Sequence, residues 1–149
     1  MLKSRPLGTL RIALGSSYEV PEAPLGARRI DVFGEGRFSG RAFEATMLAG
    51  SDALLFRADG IVQPDVRLVL RTDDDAIIFV QYRGLRHGPP DVMRRIARGE
   101  VVPEDSYYLR TSVFFETGAE RYRWLNGVLA VGVGRREPGE VVYEIHEVL

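Results

Sequence analysis

The amino-acid sequence predicts an all-β domain with minor α content: a closed antiparallel barrel of eight or nine strands with one or two short helices. Short apolar runs recur roughly every ten residues and each ends in a turn, a spacing typical of antiparallel barrels and sandwiches. A closed barrel is favoured over an open sheet because closure leaves no strand edge exposed. The 149 residues are enough for one hydrophobic core, so we expect a single domain that covers residues 1–149.

Turn residues separate the predicted strands. Asp59-Gly60 lies between two apolar runs and is a strong hairpin pattern, and Asp73–Asp75 is a second predicted turn. Pro64 has no N–H to donate to a sheet, so the residues before it predict an edge piece or a bulge. The predicted strands are Leu10–Leu14, Arg28–Phe33, Arg37–Leu48 after a Gly34–Gly36 turn, Ala53–Ala58, Ile61–Gln63, Val66–Thr72, Ala76–Arg83, Tyr107–Phe115, Val128–Arg135 and Val141–Leu149.

Two segments have the pattern of short helices. Pro90–Arg98 places apolar side chains on one side and arginines on the other, and Gly99 is a typical helix stop. Thr117–Asn126 is a second, shorter candidate, in which Thr117 would be the N-cap and Glu120 would complete a capping box. We expect this second helix to act as a plug or lid for the barrel.

The composition limits the kinds of partner and the location. A net charge of −1 gives no overall field that would favour nucleic acid or an anionic membrane. No apolar run is long enough for a transmembrane helix, and the N-terminus lacks the apolar region of a signal peptide. The absence of cysteine excludes disulfides and thiolate chemistry, and a reducing cytoplasm is the expected location.

No motif indicates a metal or a cofactor, and neither is expected. His87 and His146 are far apart in the chain and form none of the histidine pairs that bind zinc. The Asp73–Asp75 run lacks the spacing and the distant glutamate of a calcium loop. The glycine-rich segment 34–40 is followed by a predicted strand, whereas a dinucleotide-binding loop needs a helix N-terminus there.

One predicted strand combines aromatic and charged side chains on a single face. Tyr108, Arg110, Ser112 and Phe114 alternate along it, and Glu116 follows. A charged face is usually the solvated exterior of a barrel. A lumen lined by aromatic side chains with a few polar anchors is, however, how small-molecule pockets are built. The pattern alone leaves both interpretations open.

Arginines on neighbouring strands raise the same question. If Arg57, Arg67 or Arg110 points inward, it must pair with a carboxylate or hold an anionic ligand. The carboxylates available for pairing are Asp52, Asp59, Asp65 and Glu116. Gly132 and Gly134 alternate on one face of a later strand, which predicts a bend of the barrel or the close approach of another group or of a ligand.

Two long segments carry a resemblance to a known family. The first, from Gly50 to Arg86, contains the runs Arg57-Ala58-Asp59-Gly60, Asp65-Val66-Arg67-Leu68 and Gly84-Leu85-Arg86. The second contains Tyr108-Leu109-Arg110-Thr111, Phe115-Glu116-Thr117-Gly118, Tyr122-Arg123-Trp124-Leu125-Asn126 and Val131-Gly132-Val133-Gly134. In these runs the chain resembles the family called domain of unknown function 3237, and the resemblance covers nearly the whole chain.

The resemblance implies a small antiparallel β-barrel of calycin-like appearance and no agreed activity. Three positions depart from the pattern of the family. Leu54 stands where members have tryptophan, and Ala49–Asp52 stands where they have Gly-Gly-Ala-Asp. Asp74-Asp75 replaces the usual Asp-Gly turn. The first two departures concern the identity of a substrate rather than the fold.

The leading hypothesis is a cofactor-independent enzyme that isomerises, cyclises or cleaves a small oxygenated or aromatic compound in the barrel lumen. Asp52 or Glu116 would be the general base, and arginines would stabilise an enolate or phenolate. The catalytic candidates are Asp52, Glu116, Tyr82 and Arg110; the ligand-binding candidates are Arg57, Arg67, Tyr108, Phe114, Trp124 and Asn126, of which the last two would border the entrance.

Two alternatives stay open at this point. The barrel could bind an apolar or aromatic ligand without catalysis, or it could be a structural protein whose arginines form interior ion networks. A homo-oligomer is also expected, because Val141–Leu149 is an apolar alternating strand with little charge to guard its edge.

Overall fold

Eight strands pair in succession and the last pairs with the first, which gives a closed antiparallel β-barrel. The computed structural model describes all 149 residues. The strands are β1 (Ser4–Val20), β2 (Ala27–Gly40), β3 (Glu44–Phe56), β4 (Val62–Gln63), β5 (Asp65–Thr72), β6 (Ile77–His87), β7 (Tyr108–Glu116), β8 (Leu129–Glu137) and β9 (Glu140–Val148). The short strand β4 continues the line of β5 across Pro64, which interrupts the ladder as its missing N–H predicts. The predicted fold class is confirmed.

The pairing of β1 with β9 closes the barrel. It runs from Ser4 opposite Val148 to Ala13 opposite Glu140. The other edge of β9 pairs with β8, so both of its edges are used inside the barrel. The expectation that β9 leaves an exposed edge is therefore wrong, because closure occupies that edge. Formation of a homo-oligomer stays a prediction that no longer rests on this strand.

Alternation along each strand separates an apolar interior from a polar outer wall. On β5, Val66, Leu68 and Leu70 are at most 1% exposed. The alternate residues Arg67 and Arg71 are exposed and point outward. The same period of two places the inner side chains of all eight strands in one hydrophobic core.

One end of the lumen, which we call the closed end, is covered by a 3₁₀ helix, Glu120–Gly127. Leu125 of this helix is fully buried, and the Tyr122 ring packs edge-on against Phe43, with 5.4 Å between centroids. Phe43 in turn stacks on Phe38 at 4.5 Å. The Tyr122 hydroxyl donates to Asp74 Oδ1 at 2.8 Å, which fixes the helix to the β5–β6 turn. The predicted plug is thus present, and it belongs to the closed end.

The β6–β7 connection carries the other helices, α1 (Pro90–Ala97) and a short 3₁₀ helix, Glu104–Ser106. Val92 and Ile96 bury the apolar side of α1 in the core. The helix ends at Ala97, and Gly99 follows the C-cap residue Arg98 with a φ of +79°, a left-handed conformation that glycine adopts without strain. No helix of the protein combines the length and apolarity that crossing a membrane requires.

Three local predictions are wrong. Arg37–Leu48 is not one strand, because residues 41–43 form the bend between β2 and β3. Gly34–Gly36 is not a turn: β2 runs through it to Gly40, and the glycines allow Met47 to pack where a Cβ at Gly36 would lie within 2.9 Å of Met47 Cε. Thr117 does not cap the helix at 120–127. Its hydroxyl instead donates to the Ile77 carbonyl at 2.7 Å and accepts from the Ala119 N–H at 3.1 Å, which fixes the preceding loop.

Gly134 on β8 provides a test of the interior packing. A Cβ at this position would lie 2.6 Å from Leu109 Cγ and 2.7 Å from Tyr143 Cε1, so the neighbours must shift. We expect Gly134→Ala to lower the free energy of unfolding by roughly 1–3 kcal/mol, as overpacking does. Urea denaturation would measure the difference. Gly118→Ala is the matched control, since no atom lies within 4 Å of the place that a Cβ would occupy there; equal losses in the two variants would contradict the packing argument.

Candidate functional site

The end of the lumen opposite the closed end contains a small pocket with a charged lining, which we call the luminal pocket. Its volume is about 30 Å³. Apolar side chains, among them Leu14, Phe33, Leu54 and Leu109, form part of the wall. The polar lining consists of Arg29 and Asp31 on β2, Asp52 on β3, Tyr82 and Arg86 on β6, Arg136 on β8 and Tyr143 on β9. Five strands therefore contribute polar groups to one site.

Two carboxylates lie directly opposite each other in this pocket. Asp31 and Asp52 are register partners on β2 and β3, and each is 8% exposed. Asp31 is held by a bidentate ion pair with Arg29, at 2.9 and 3.1 Å, and accepts the Ser17 hydroxyl at 2.7 Å. Asp52 accepts one hydrogen bond, from the backbone N–H of Asp65 at 2.9 Å, and forms no ion pair. The two neighbouring carboxylates therefore have different environments.

The environment of Asp52 changes its acidity. Burial raises the pKa of this carboxyl from 3.8 to about 6, and the negative charge of Asp31 contributes in the same direction. The Asp65 N–H and the positive charges of Arg86 and Arg29 oppose the rise without cancelling it. A carboxyl whose pKa lies near neutral pH can both accept and return a proton, which is what a general acid–base group requires.

Two arginines of the pocket have no partner of opposite charge. Arg86, 8% exposed, and Arg136 take part in no ion pair, and the Nε of each is buried without a hydrogen-bond acceptor. Burial lowers the pKa of both guanidinium groups below the ordinary value, and their positive neighbours add to this: Arg136 for Arg86, and Arg29 for Arg136. Unpaired buried charges are costly and rare in proteins.

Two tyrosines complete the polar lining. The rings of Tyr82 and Tyr143 are 5.0 Å apart between centroids, and both residues are almost fully buried. Burial raises the pKa of each phenol above its ordinary value, so both hydroxyls keep their protons at neutral pH. The Tyr82 hydroxyl makes no hydrogen bond of normal geometry in the protein, and the Tyr143 phenol is a polar neighbour. The Tyr82 hydroxyl is therefore available as a donor to a ligand.

The structure brings two of the predicted catalytic residues into this pocket, Asp52 and Tyr82. It places Arg110 and Glu116 on the outer wall of β7, because Leu109, Thr111, Val113 and Phe115 take the inner positions of that strand. The guanidinium of Arg110 lies over the Tyr108 ring at 5.0 Å. Of the two interpretations left open for this face of β7, the structure supports the solvated exterior, since the inner positions belong to the neighbouring residues.

The predicted ligand-binding residues lie outside the luminal pocket. Tyr108 and Phe114 share the outer wall of β7, and Phe114 is 53% exposed. Arg57 pairs with Asp59 in the hairpin turn, and Arg67 pairs with Asp65 at 3.1 Å on the outer wall of β5. These arginines have carboxylate partners at the surface, so they need no ligand to balance their charge.

Trp124 and Asn126 belong to the closed end and do not border the entrance of the pocket. Trp124 is 41% exposed and lies under the guanidinium of Arg41 at 5.8 Å. The Asn126 side chain accepts the Thr117 N–H at 2.8 Å and donates to the Thr117 carbonyl at 2.9 Å. Its amide therefore fixes the loop that carries the 3₁₀ helix. Nowhere do three or more histidine and carboxylate side chains form a group suited to a metal ion.

Sequence reasoning missed five polar residues of the pocket: Arg29, Asp31, Arg86, Arg136 and Tyr143. Arg86 is the arginine of the Gly84-Leu85-Arg86 motif that carries part of the family resemblance. Arg136 follows Gly132 and Gly134 on the same inner face of β8. The two glycines leave room on that face, and the side chains of Thr111, Leu109 and Tyr143 fill it. The close approach that the glycines predict is therefore made by the protein itself.

The raised pKa of Asp52 predicts a pH-dependent stability difference. Above pH 6 the folded protein holds a buried carboxylate that the unfolded chain, with a pKa of 3.8, solvates better. We expect Asp52→Asn to be more stable than the wild type at pH 7 by up to about 3 kcal/mol, because its amide can still accept the Asp65 N–H. The difference should shrink as the pH falls from 6 to 4 and vanish below that range, since both states then hold a neutral side chain.

Urea denaturation of both proteins between pH 4 and pH 8 would measure this difference. Glu116→Gln is the matched control, because Glu116 is exposed and its loss removes no buried charge. A stability difference that is independent of pH would contradict the assignment.

Comparison with known proteins places the chain in a family. A family model described as protein of unknown function (DUF3237) matches residues 2–148. The UPF0311 protein RPA1785 of Rhodopseudomonas palustris is 32% identical over 149 residues, which cover 99% of this chain and 97% of that protein. The crystal structure of the conserved protein of unknown function RPA1785 matches with a TM-score of 0.96 at 31% identity, over 100% of this chain and 99% of that one.

A more distant relative has an activity in its name. The hydroalkoxylation enzyme phnH of Penicillium herquei is 23% identical over 126 residues, which cover 85% of this chain and 70% of that protein. A solved enzyme from Penicillium herquei has the same fold, with a TM-score of 0.73 at 21% identity over 99% of this chain and 95% of that one. Since the family model spans nearly the whole chain and RPA1785 is more than 30% identical along it, the protein belongs to the family described as protein of unknown function (DUF3237).

Proposed function

We propose that this protein is a cofactor-independent acid–base enzyme that acts on a small oxygenated molecule, with the ring-closing addition of a hydroxyl group to a polarised C=C bond as its reaction. The observation that carries the proposal is Asp52, a buried carboxyl with a pKa of about 6 that faces unpaired guanidinium groups and a free tyrosine hydroxyl. Such a constellation supplies a proton acceptor, a stabiliser of negative charge and a proton donor in one place.

The proposed reaction balances within the substrate and the protein. The Asp52 carboxylate accepts the proton of the substrate hydroxyl. At the same time the oxygen of that substrate hydroxyl bonds to the β-carbon of an α,β-unsaturated carbonyl in the same molecule. The C=C electron pair moves toward the carbonyl oxygen, and Arg86 and Arg136 stabilise the resulting enolate. Protonated Asp52 then returns the proton to the α-carbon. The product is an isomer of the substrate, so no other reactant is consumed.

The tyrosines have a positioning role in this proposal. Because burial keeps the Tyr82 phenol protonated, its hydroxyl can donate a hydrogen bond to the substrate oxygen but does not compete with Asp52 as the base. Asp31 is unsuited to be the base, since its oxygens are already occupied by the bidentate pair with Arg29 and the hydrogen bond from Ser17. The division of labour between the two carboxylates follows from these contacts.

The relative from Penicillium herquei supports the choice of ring closure over the other isomerisations and the lyase reactions that the sequence left open. Hydroalkoxylation, the activity in that protein's name, is the addition of the O–H bond of an alcohol or phenol across a C=C bond, which forms an ether. A pocket with one proton-transfer group and an excess of positive charge is suited to the same class of reaction. The pocket of about 30 Å³ is smaller than an organic substrate, so side chains such as Leu14, 37% exposed, must move for one to enter.

A barrel that binds a ligand without catalysis is the second candidate. The unpaired Arg86 and Arg136 favour this candidate as much as they favour an enzyme. Binding alone, however, gives no role to a carboxyl that is buried at the cost of a raised pKa. The two candidates therefore differ in what the removal of the Asp52 charge does to turnover.

Ring closure can be tested with 2′-hydroxychalcone and with shorter ω-hydroxy enones, whose absorbance falls as the conjugated C=C bond is consumed. We expect Asp52→Asn to lower kcat by roughly 10²–10⁴, the usual contribution of a general base. In the wild type, kcat/KM should rise with pH through the region of pH 6, because Asp52 must be ionised to accept a proton.

Glu116→Gln serves as the control for turnover, since it removes an exposed carboxylate of the outer wall and should leave the rate unchanged. Full turnover by Asp52→Asn on a substrate that the wild type converts would refute the assignment of the base. Saturable binding of these compounds with no turnover in the wild type would favour the non-catalytic candidate.

A further inference from the structure

The charges of the luminal pocket do not balance. Three guanidinium groups face it, from Arg29, Arg86 and Arg136, against the two carboxylates Asp31 and Asp52. With Asp52 ionised the pocket is one negative charge short, and with Asp52 protonated it is two short. Unpaired charge in a low-dielectric interior is costly. The excess positive charge must therefore be balanced by a bound anion or be reduced by a lower pKa of the guanidinium groups.

Most other arginines of the barrel strands are paired with carboxylates, and Arg28 and Arg110, which are not, donate to backbone carbonyls instead. Arg135 contacts Glu137 and Glu144 at 3.0 and 3.1 Å, and the buried Glu147 carries two arginines, Arg5 and Arg41. Arg29 has its bidentate pair inside the pocket itself. The lack of partners for two converging guanidinium groups is thus a property of the site rather than of arginines in this protein.

Neither pocket carboxylate can supply the missing partner. Asp31 is already occupied by Arg29 and Ser17, and Asp52 accepts the Asp65 N–H and forms no ion pair with any arginine. Arg86 is 8% exposed, and the Nε atoms of Arg86 and Arg136 are both buried without an acceptor. Two guanidinium groups from β6 and β8 therefore present free N–H donors at one cavity.

We propose that Arg86 and Arg136 form an anion-binding cradle, and that the substrate of this enzyme is a small organic anion held there by a carboxylate or phenolate oxygen. That the bound anion is a substrate rests on the proposed function. That the pocket binds an anion is argued from the unpaired guanidinium groups alone. Guanidinium groups match planar oxyanions because each offers parallel N–H donors. One bound anion would neutralise the pocket with Asp52 ionised.

Two pairs of probes of similar shape separate charge from size and distinguish the two oxyanions. Benzoate is compared with benzamide, and 4-nitrophenolate with 4-nitroanisole, all at pH 8. Calorimetry and the rise in Tm report binding. We expect at least one anion to bind roughly tenfold to a hundredfold more tightly than its neutral counterpart, which is the contribution of a hydrogen bond to a charged group. The anion that binds identifies the oxyanion of the substrate.

Variants then assign the binding to the cradle. We expect Arg86→Met and Arg136→Met each to weaken anion binding by roughly tenfold or more. Without ligand, each should raise Tm by roughly 2–4 °C, because an unpaired buried charge is replaced by an apolar side chain of similar length. Arg29→Met should instead lower Tm, since it leaves the buried Asp31 without its partner.

Arg67→Met is the matched control, an arginine of the outer wall that is paired with Asp65, and it should leave anion binding unchanged. Arg86→Gln keeps N–H donors without the charge, so weakened anion binding in this variant supports a role of the charge itself. Neutral probes that bind as tightly as the anions, undiminished anion binding in both methionine variants, or lower Tm in both would each overturn the cradle.

The outcome is separable from that of the proposed function. Asp52→Asn removes a negative charge from the pocket, so it should bind the anion at least as tightly as the wild type while losing turnover. Turnover that survives in Asp52→Asn, together with anion binding that depends on Arg86, would refute the reaction and support the cradle. Turnover that depends on Asp52 for neutral substrates alone would support the reaction and overturn the cradle.

Discussion

The pairing of β9 with β1 gives every strand two neighbours and divides the side chains of each strand into an inner and an outer set. Inside, the available volume is fixed by eight strands and is largely filled by aliphatic and aromatic residues. A charged residue of inner parity is therefore largely shielded from bulk water, and its burial is costly unless a group of opposite charge lies nearby. The position of Asp52, Arg86 and Arg136 in the luminal pocket follows from this constraint.

The lumen is asymmetric along its axis. At the closed end, Tyr122 and Leu125 complete an apolar core, and the buried Glu147 is held by two arginines that remain half-exposed at the rim. At the other end the inner positions of β2, β3, β6 and β8 carry charge, and the apolar side chain of Leu54 stands among them. Stability is thus concentrated at one end, and the other can hold groups that lower stability but interact with a ligand.

Much of the fold was predictable from the sequence, because strands, turns and the Pro64 interruption depend on local residue types. The parity of β7 was not predictable. Its outer face carries Tyr108 and Phe114, and its inner face carries Leu109 and Phe115, so aromatic and apolar residues do not distinguish the two sides. Since a shift of one residue exchanges the faces, every site residue assigned on that strand moved to the exterior.

The luminal pocket was harder to predict because its residues are far apart in the chain. Asp52 and Tyr82 were catalytic candidates because of their residue types alone, and the structure places both at inner positions. Arg29 and Asp31 share one face of a predicted strand, opposite Arg28. The sequence does not show which strand pairs with that one, so it could not place Asp31 opposite Asp52. Arg136 comes from the end of β8, and only the closure of the barrel brings it near Arg86.

The charge of the ligand and the proton of Asp52 are coupled. An anion bound between Arg86 and Arg136 adds a like charge near Asp52 and offsets the two positive charges that favour its ionised form, so the pKa of this carboxyl must rise on binding. A higher pKa makes Asp52 a stronger base once the substrate is in place. By linkage, protonation of Asp52 tightens the binding of the anion by the same factor. A pocket that is one negative charge short thus favours a bound anion, and the same positive charge favours the enolate that forms while the proton resides on Asp52.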